Sequence, residues 1–165
     1  MNRYLLPIWM LCVLVSGCAK TQSNRDVYLA QAAKDDKIVA NYIAANNLTA
    51  VAQKVSDTCG VYYIILQQGQ GNDIFTSSTA VTVGDTGRLL GNSTPFTETN
   101  EFHPSFILGQ VILGWQLGIP KVKRGGTIRL LMPSRYAYGP YAQPQVGLPA
   151  NAILDFDITL YDITN

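Results

Sequence analysis

A chain of 165 residues holds one globular core of ordinary size plus appendages. Its 12 Lys and Arg against 11 Asp and Glu leave no charge excess to draw it onto nucleic acid or an anionic lipid surface, so nucleic acid is excluded as an expected partner. Only 14% of the residues are charged, below the roughly 25% of ordinary soluble proteins, while Gly, Pro and aromatics are plentiful; that mixture points to a compact β-rich domain with many turns.

The first residues read as a targeting segment. Met1-Asn2-Arg3 is a short cationic start, Leu5 to Val15 is almost wholly apolar, and Ser16-Gly17 are small residues of the kind signal peptidases accept. An apolar run of about 11 residues is too short for a membrane helix, which needs about 20. Val15-Ser16-Gly17-Cys18 resembles a bacterial lipobox, whose cysteine is diacylated and becomes the new N-terminus after cleavage. Residues 1–17 are therefore expected to be a lipoprotein signal peptide, Cys18 the lipidated residue, and residues 18–25 a small, polar tether. The alternative is an ordinary secretory signal in which Cys18 is incidental. Acyl chains contribute about 0.8 kcal/mol per buried CH₂, so they anchor a domain to the membrane without embedding it. Ala19, not Asp, follows the cysteine, as in lipoproteins sorted to the outer membrane of diderm bacteria, and the domain is expected to face the periplasm. With Cys12 in the signal and Cys18 acylated, Cys59 is left alone, which rules out an intrachain disulfide and suits a half-buried structural thiol.

Residues 26–59 are expected to form an N-terminal helical segment. Ile38, Val39, Tyr42 and Ile43 repeat with helical spacing, Asp35-Asp36 are placed to open the helix against its dipole, and Asn46-Asn47 to end it. Its apolar stripe is expected to pack on its own domain, so the chain is read as a monomer, with a dimer seam as the alternative. From Gly60 the period becomes that of strands: Val61 to Leu66, Ala80 to Val83 resuming at Arg88 to Leu90, and Thr127 to Met132. In the last strand Leu154, Phe156, Ile158 and Leu160 are expected to face the core, and Asp155, Asp157, Thr159 and Tyr161 to face water. Val111 to Gly118 reads as a buried two-turn helix with Gly118 as its stop. The fold class is α+β, with antiparallel strands wrapping one short helix.

Several chemistries find little support. His103, the single histidine, has no second Cys or His near it in sequence, so no metal site or Ser/His/Asp triad is expected, and no cofactor is called for. Lys121, Lys123 and Arg124 read as a solvated loop. Asp85-Thr86-Gly87 follows Val81-Thr82-Val83 as the catalytic aspartate of a retropepsin-like protease follows its strand, so a dimeric aspartic protease using Asp85 is a remote alternative.

The stronger signal is a series of strings: Gly87-Arg88-Leu89-Leu90, Phe106 to Gln110, Val111-Ile112-Leu113-Gly114-Trp115, Met132 to Gly139, and Leu148 to Ala152 leading into Leu154-Asp155-Phe156-Asp157. Their order resembles FKBP-type peptidyl-prolyl cis-trans isomerases over roughly Gly60 to Thr164, which sets residues 60–165 as the isomerase domain. The resemblance implies a twisted antiparallel half-barrel clasping the short helix. It also implies a proline pocket floored by Trp115, walled by Phe96, Val111, Ile112 and Phe156 and rimmed by Leu148, with Tyr138 donating a hydrogen bond to the substrate carbonyl. Expected partners are unfolded or partly folded proline-containing chains, with macrolides as family ligands. Asp85 stands where the family commonly has a pocket tyrosine, and Thr97 where it commonly has an aspartate. A binding-only chaperone or interaction module is accordingly the second reading.

Overall fold

The computed structural model describes the chain from residue 16 to residue 165, and its side chains from residue 23. Apart from the backbone of residues 16 and 17, the expected signal peptide lies outside the described residues, as does the side chain of Cys18.

Helix α1 runs from Ser16 to Ala45. It begins well upstream of the expected helical segment, so residues 18–25, expected as a tether, are helical, with Ala19, Lys20, Gln22 and Arg25 favouring the helix there. Asp35 and Asp36 consequently lie mid-helix and do not open it, a correction to the sequence reading. At the other end Asn46 donates its side-chain N–H to the Tyr42 carbonyl at 2.8 Å, and Asn47 takes a left-handed φ of 57°, so the asparagines stop the helix as expected. Among the described residues, no helix is long and apolar enough to cross a membrane.

The strands are β1 (Gln53–Lys54), β2 (Tyr62–Gln67), β3 (Ala80–Leu89), β4 (Pro95–Glu98), β5 (Ser105–Ile107), β6 (Thr127–Met132) and β7 (Leu154–Thr164). They form one antiparallel sheet in the order β1-β2-β6-β7-β3-β4, with β5 also paired to β3. The expected break between Val83 and Arg88 is absent: β7 pairs continuously opposite β3, and that ladder overrides the weak strand propensity of Gly84-Asp85 and Gly87. Only between Thr82 and Val83 does the register shift, and the extra residue, Tyr161, re-aims β7 so that Ile163 is buried beside Leu160.

Helix α2 (Leu113–Gly118) lies in the curve of this sheet. Val81 and Val83, Ile128, Leu130 and Met132, and Leu154, Ile158 and Leu160 bury their side chains around it. A Cβ on Gly118 would lie 2.5 Å from Leu130 Cδ2, so this glycine permits close approach of helix and sheet; the chain passes it in a right-handed conformation into a 3-10 turn, Ile119–Lys121. Its role is contact with β6 more than termination.

The outer face of β6 and β7 is not wholly wet. Val39 and Ile43 of α1 pack with Leu131 and Ile153 into a second small core, which confirms that the helix packs on its own domain. Under its edge Asp155, expected in water, is buried and accepts from Arg129 Nε at 2.9 Å and Nη2 at 2.6 Å, while Arg129 Nη2 also donates to the Tyr42 hydroxyl at 3.0 Å. Upstream on α1, Asp35 is 1% exposed; its carboxylate accepts from the Ser134 backbone N–H at 3.0 Å, the Ser134 hydroxyl at 2.5 Å and Gln31 Nε2 at 2.6 Å. Asp36 takes both its contacts from Arg135 Nη2, at 2.8 and 2.9 Å. The acidic pair fastens the helix to the loop after β6.

Candidate active-site cleft

One end of the half-barrel opens into a cleft of about 430 Å³, within the range of small-ligand pockets. At its floor Trp115 is positioned by α2, whose first turn is fixed by N–H donation from Trp115 and Gln116 to the Ile112 carbonyl at 2.9 and 3.2 Å. The Gln116 side chain returns to the Val111 carbonyl at 2.8 Å and so holds the two residues that precede the helix, Val111 and Ile112, at the cleft wall.

Phe156 of β7 stands on Trp115 edge to face, with centroids 5.2 Å apart at 88°. Phe96 of β4 meets Phe156 in the same manner at 5.5 Å, and Phe106 of β5 meets Trp115 at 6.0 Å and 82°. Each contact presents a positive ring edge to a negative face, the geometry aromatic pairs favour. The four rings form a connected apolar surface, and Gly87 makes room for it: a Cβ there would lie 2.5 Å from Phe156 Cε1. The Trp115 indole N–H is buried and has no hydrogen-bond partner among the described residues.

Tyr138 reaches the cleft from the loop after β6. There the 3-10 turn Ser134–Tyr136 is closed by N–H donation from Ala137 and Gly139 to the Ser134 carbonyl, at 2.9 and 2.8 Å. Asn151 N–H donates to the Gly139 carbonyl at 2.8 Å and secures the far end of the loop. The Tyr138 hydroxyl makes no hydrogen bond among the described residues and is available as a donor at the cleft.

The structure thus brings Phe96, Val111, Ile112, Trp115, Tyr138 and Phe156 to one cleft. Leu148 is the correction: it is 2% exposed, packs in the main core, and does not line the cleft. Val146, in the 3-10 turn Pro144–Val146, lines it instead, because Leu148 folds back to pair with Gln143 and turns its side chain inward. Phe106 and Gln110 also line the cleft and were not singled out as site residues. Three-residue β5 is too short to show alternation; only its register, Val81 opposite Phe106, reveals the position.

Asp85 and Thr97 both reach the cleft. Along β3 the buried residues alternate as Val81, Val83, Asp85 and Gly87, so Asp85 stands in the inward row that its neighbours fill with valine. It is 8% exposed, and burial raises its carboxyl above the ordinary value of 3.8. Asp85 lies within β3, paired to Ile158, and not in a loop beyond a strand end as the aspartic-protease alternative requires. His103 stacks on exposed Tyr161 at 3.8 Å, outside the cleft lining, and Arg124 anchors the end of β7 through Asp162 and the Ile163 carbonyl. Cys59 is buried in the main core, deeper than the half-buried position expected from sequence.

The described residues form a half-barrel wrapped around one short helix, with a largely apolar cleft of a size to admit a compact apolar group and, among the described residues, no Cys, Ser or His in its lining. The comparisons with known proteins name the class. A family model described as FKBP-type peptidyl-prolyl cis-trans isomerase matches residues 71–161. FkpA of Escherichia coli K12, itself named an FKBP-type peptidyl-prolyl cis-trans isomerase, is 31% identical over 146 residues, which cover 88% of this chain and 53% of that protein. FkpA of Buchnera aphidicola from Schizaphis graminum is 40% identical over 108 residues, covering 64% of this chain and 42% of its own. The FK506-binding protein 1 of Candida glabrata is 37% identical over 108 residues, 63% of this chain and 93% of its own. The crystal structure of Escherichia coli FkpA superposes with a TM-score of 0.68 at 29% identity, over 88% of this chain and 64% of that one. The chain belongs to the FKBP-type peptidyl-prolyl cis-trans isomerase family, and it spans about half the length of the bacterial relatives it matches.

Proposed function

We propose that this chain catalyses cis/trans isomerisation of X-Pro bonds in unfolded or partly folded polypeptides, with the proline ring seated over Trp115. The observation that carries the reading is a connected aromatic floor and wall that shares one cleft with Tyr138, whose hydroxyl makes no hydrogen bond among the described residues. Amide rotation faces a barrier of about 18–20 kcal/mol because twisting destroys C–N resonance. The twisted amide is less dipolar than the planar one, so an apolar, water-poor cleft favours the transition state over the ground state. Phe96, Val111, Ile112 and Phe156 hold the ring, and Tyr138 donates to the flanking carbonyl, which confines motion to one bond. No covalent step and no titrating group is required.

Exchange NMR on a Leu-Pro peptide tests this: the wild type broadens or exchanges the cis and trans signals, and Trp115→Ala abolishes the effect. A second reading, a binding-only module, draws on Asp85 and Thr97, which put polar groups on walls that are mostly apolar. Peptide binding without acceleration would establish it. FK506, the ligand in the name of the Candida relative, is the natural competitor for the cleft in either case.

The chain is further proposed to act as a monomer, tethered through a lipidated Cys18 to the outer membrane and facing the periplasm. The lipobox-like Val15-Ser16-Gly17-Cys18 supports this, with residues 1–17 as signal, 18–25 as lipidated link, 26–59 as helical segment and 60–165 as the isomerase domain. Labelling with radioactive palmitate that disappears in Cys18→Ala tests the anchor.

A further inference from the structure

We infer that Asp85 is a specificity-determining residue that directs the cleft toward prolines flanked by a cationic side chain, Lys or Arg. The inference rests on the isomerase reading and narrows its substrate class.

Three observations carry it. Asp85 belongs to the inward row of β3 and as a residue is 8% exposed; its carboxylate opens on the cleft and makes no hydrogen bond or ion pair among the described residues. The bonds at this residue are made by its backbone, where N–H donates to Thr99 Oγ1 at 2.8 Å and the carbonyl accepts from Thr99 N–H at 3.0 Å. Those bonds fix the strand and leave the side chain unengaged. Second, the carboxylate lines the cleft directly, where among the described residues it is the one acidic or basic side chain apart from Tyr138. No cation of the described chain reaches that space. Third, most of the remaining lining is aromatic or aliphatic, with Thr97 and Gln110 the polar exceptions, so few protein groups stabilise a charge there and a ligand that brings a cationic donor supplies the partner the wall lacks.

Buried carboxylates in proteins are ordinarily paired. Here the missing partner would come with the substrate. An ammonium or guanidinium next to the bound proline fits, since both are donors without acceptor capacity and a Lys or Arg stem can lie along the aromatic wall while its head meets the carboxylate. An acidic side chain at the same position would place like charges together and be disfavoured. Burial also raises the proton affinity of Asp85, as expected for a carboxylate awaiting a partner.

The test uses short peptides with Lys, Leu or Glu immediately before or immediately after one proline, measured for both dissociation constant and isomerisation rate. The wild type is expected to prefer the Lys peptide to the Leu peptide by about tenfold in one of the two positions, the scale of a charge-assisted hydrogen bond, and to disfavour the Glu peptide. Asp85→Asn is expected to bring the Lys-to-Leu ratio close to one, and Asp85→Lys to invert the Lys-to-Glu preference. Equal handling of the three peptides by the wild type overturns the inference, as does a Lys preference that survives in Asp85→Asn. Binding is read separately from turnover. If no peptide is isomerised but charge selection persists in the dissociation constants, the isomerase reading fails and the assignment of Asp85 stands; if all are isomerised alike, the reverse holds.

Discussion

Replacing Asp35 with Ala removes the acceptor that joins α1 to the loop carrying Tyr138. Ser134, 2% exposed, then loses the partner of both its N–H and its hydroxyl. The hydroxyl can turn toward another acceptor, but the backbone N–H is fixed by the 3-10 turn, and an unsatisfied buried donor costs about 1–3 kcal/mol. With the hydroxyl's share, Asp35→Ala is expected to destabilise the protein by about 2–4 kcal/mol, a large part of the usual total of about 5–15 kcal/mol. Asp36→Ala provides the comparison. Its ion pair with Arg135 is half in water on the Asp36 side, so its loss is expected to cost about 0.5–1 kcal/mol. Urea unfolding followed by tryptophan fluorescence and far-UV circular dichroism measures both, and the double variant with Ser134→Ala should recover part of the Asp35→Ala loss. An Asp35→Ala protein within 0.5 kcal/mol of wild type, or no weaker than Asp36→Ala, would refute the idea that this buried carboxylate fastens the helix.

Three further outcomes are expected. Tyr138→Phe should lower kcat/KM for a Leu-Pro peptide about tenfold while leaving the melting temperature within a degree or two, because one hydrogen bond to substrate is lost and no bond within the fold. Burial raises the native proton affinity of Asp85, so its contribution to stability is complete below about pH 3.8 and is lost as the pH rises through the higher native value. Asp85→Asn should therefore gain more over wild type in melting temperature at pH 7 than at pH 3, and a gain independent of pH would contradict the raised value. Gly87→Ala should destabilise by about 1–3 kcal/mol, measured by urea unfolding, since its methyl group meets the Phe156 ring at 2.5 Å and the ring has Trp115 and Phe96 behind it.

Much of the framework was legible where a strand carries its own period. Thr127 to Met132 matches β6 at both ends, and the alternation from Leu154 to Leu160 reads the inner face of β7 correctly. The reading weakened wherever a residue's state is set by a distant partner. Gly84 to Gly87 reads as a break, but the opposing ladder of β7 makes it strand. Asp155 reads as wet, but Arg129 and the overlying helix bury it. Asp35 and Asp36 read as a helix start because nothing local reveals Ser134 and Arg135, about a hundred residues away. For the cleft, the long strings around Trp115, Tyr138 and Phe156 carried the resemblance that located it. Phe106 and Val146 were missed because a three-residue strand and a proline-led turn carry no period, and Leu148 was displaced to the core by the fold-back at Gln143.

The pairing of β7 with both β3 and β6 has a consequence for biogenesis. Residues 154–164 fill the slot between two strands that are not paired to each other, so the hub of the sheet closes only when a segment some seventy residues downstream of β3 is in place. A nascent chain stalled before Leu154 has no partner for the inward side of β3 and cannot enclose α2. Closure of the loops that join such distant segments is slow, and the waiting strands expose unpaired edges.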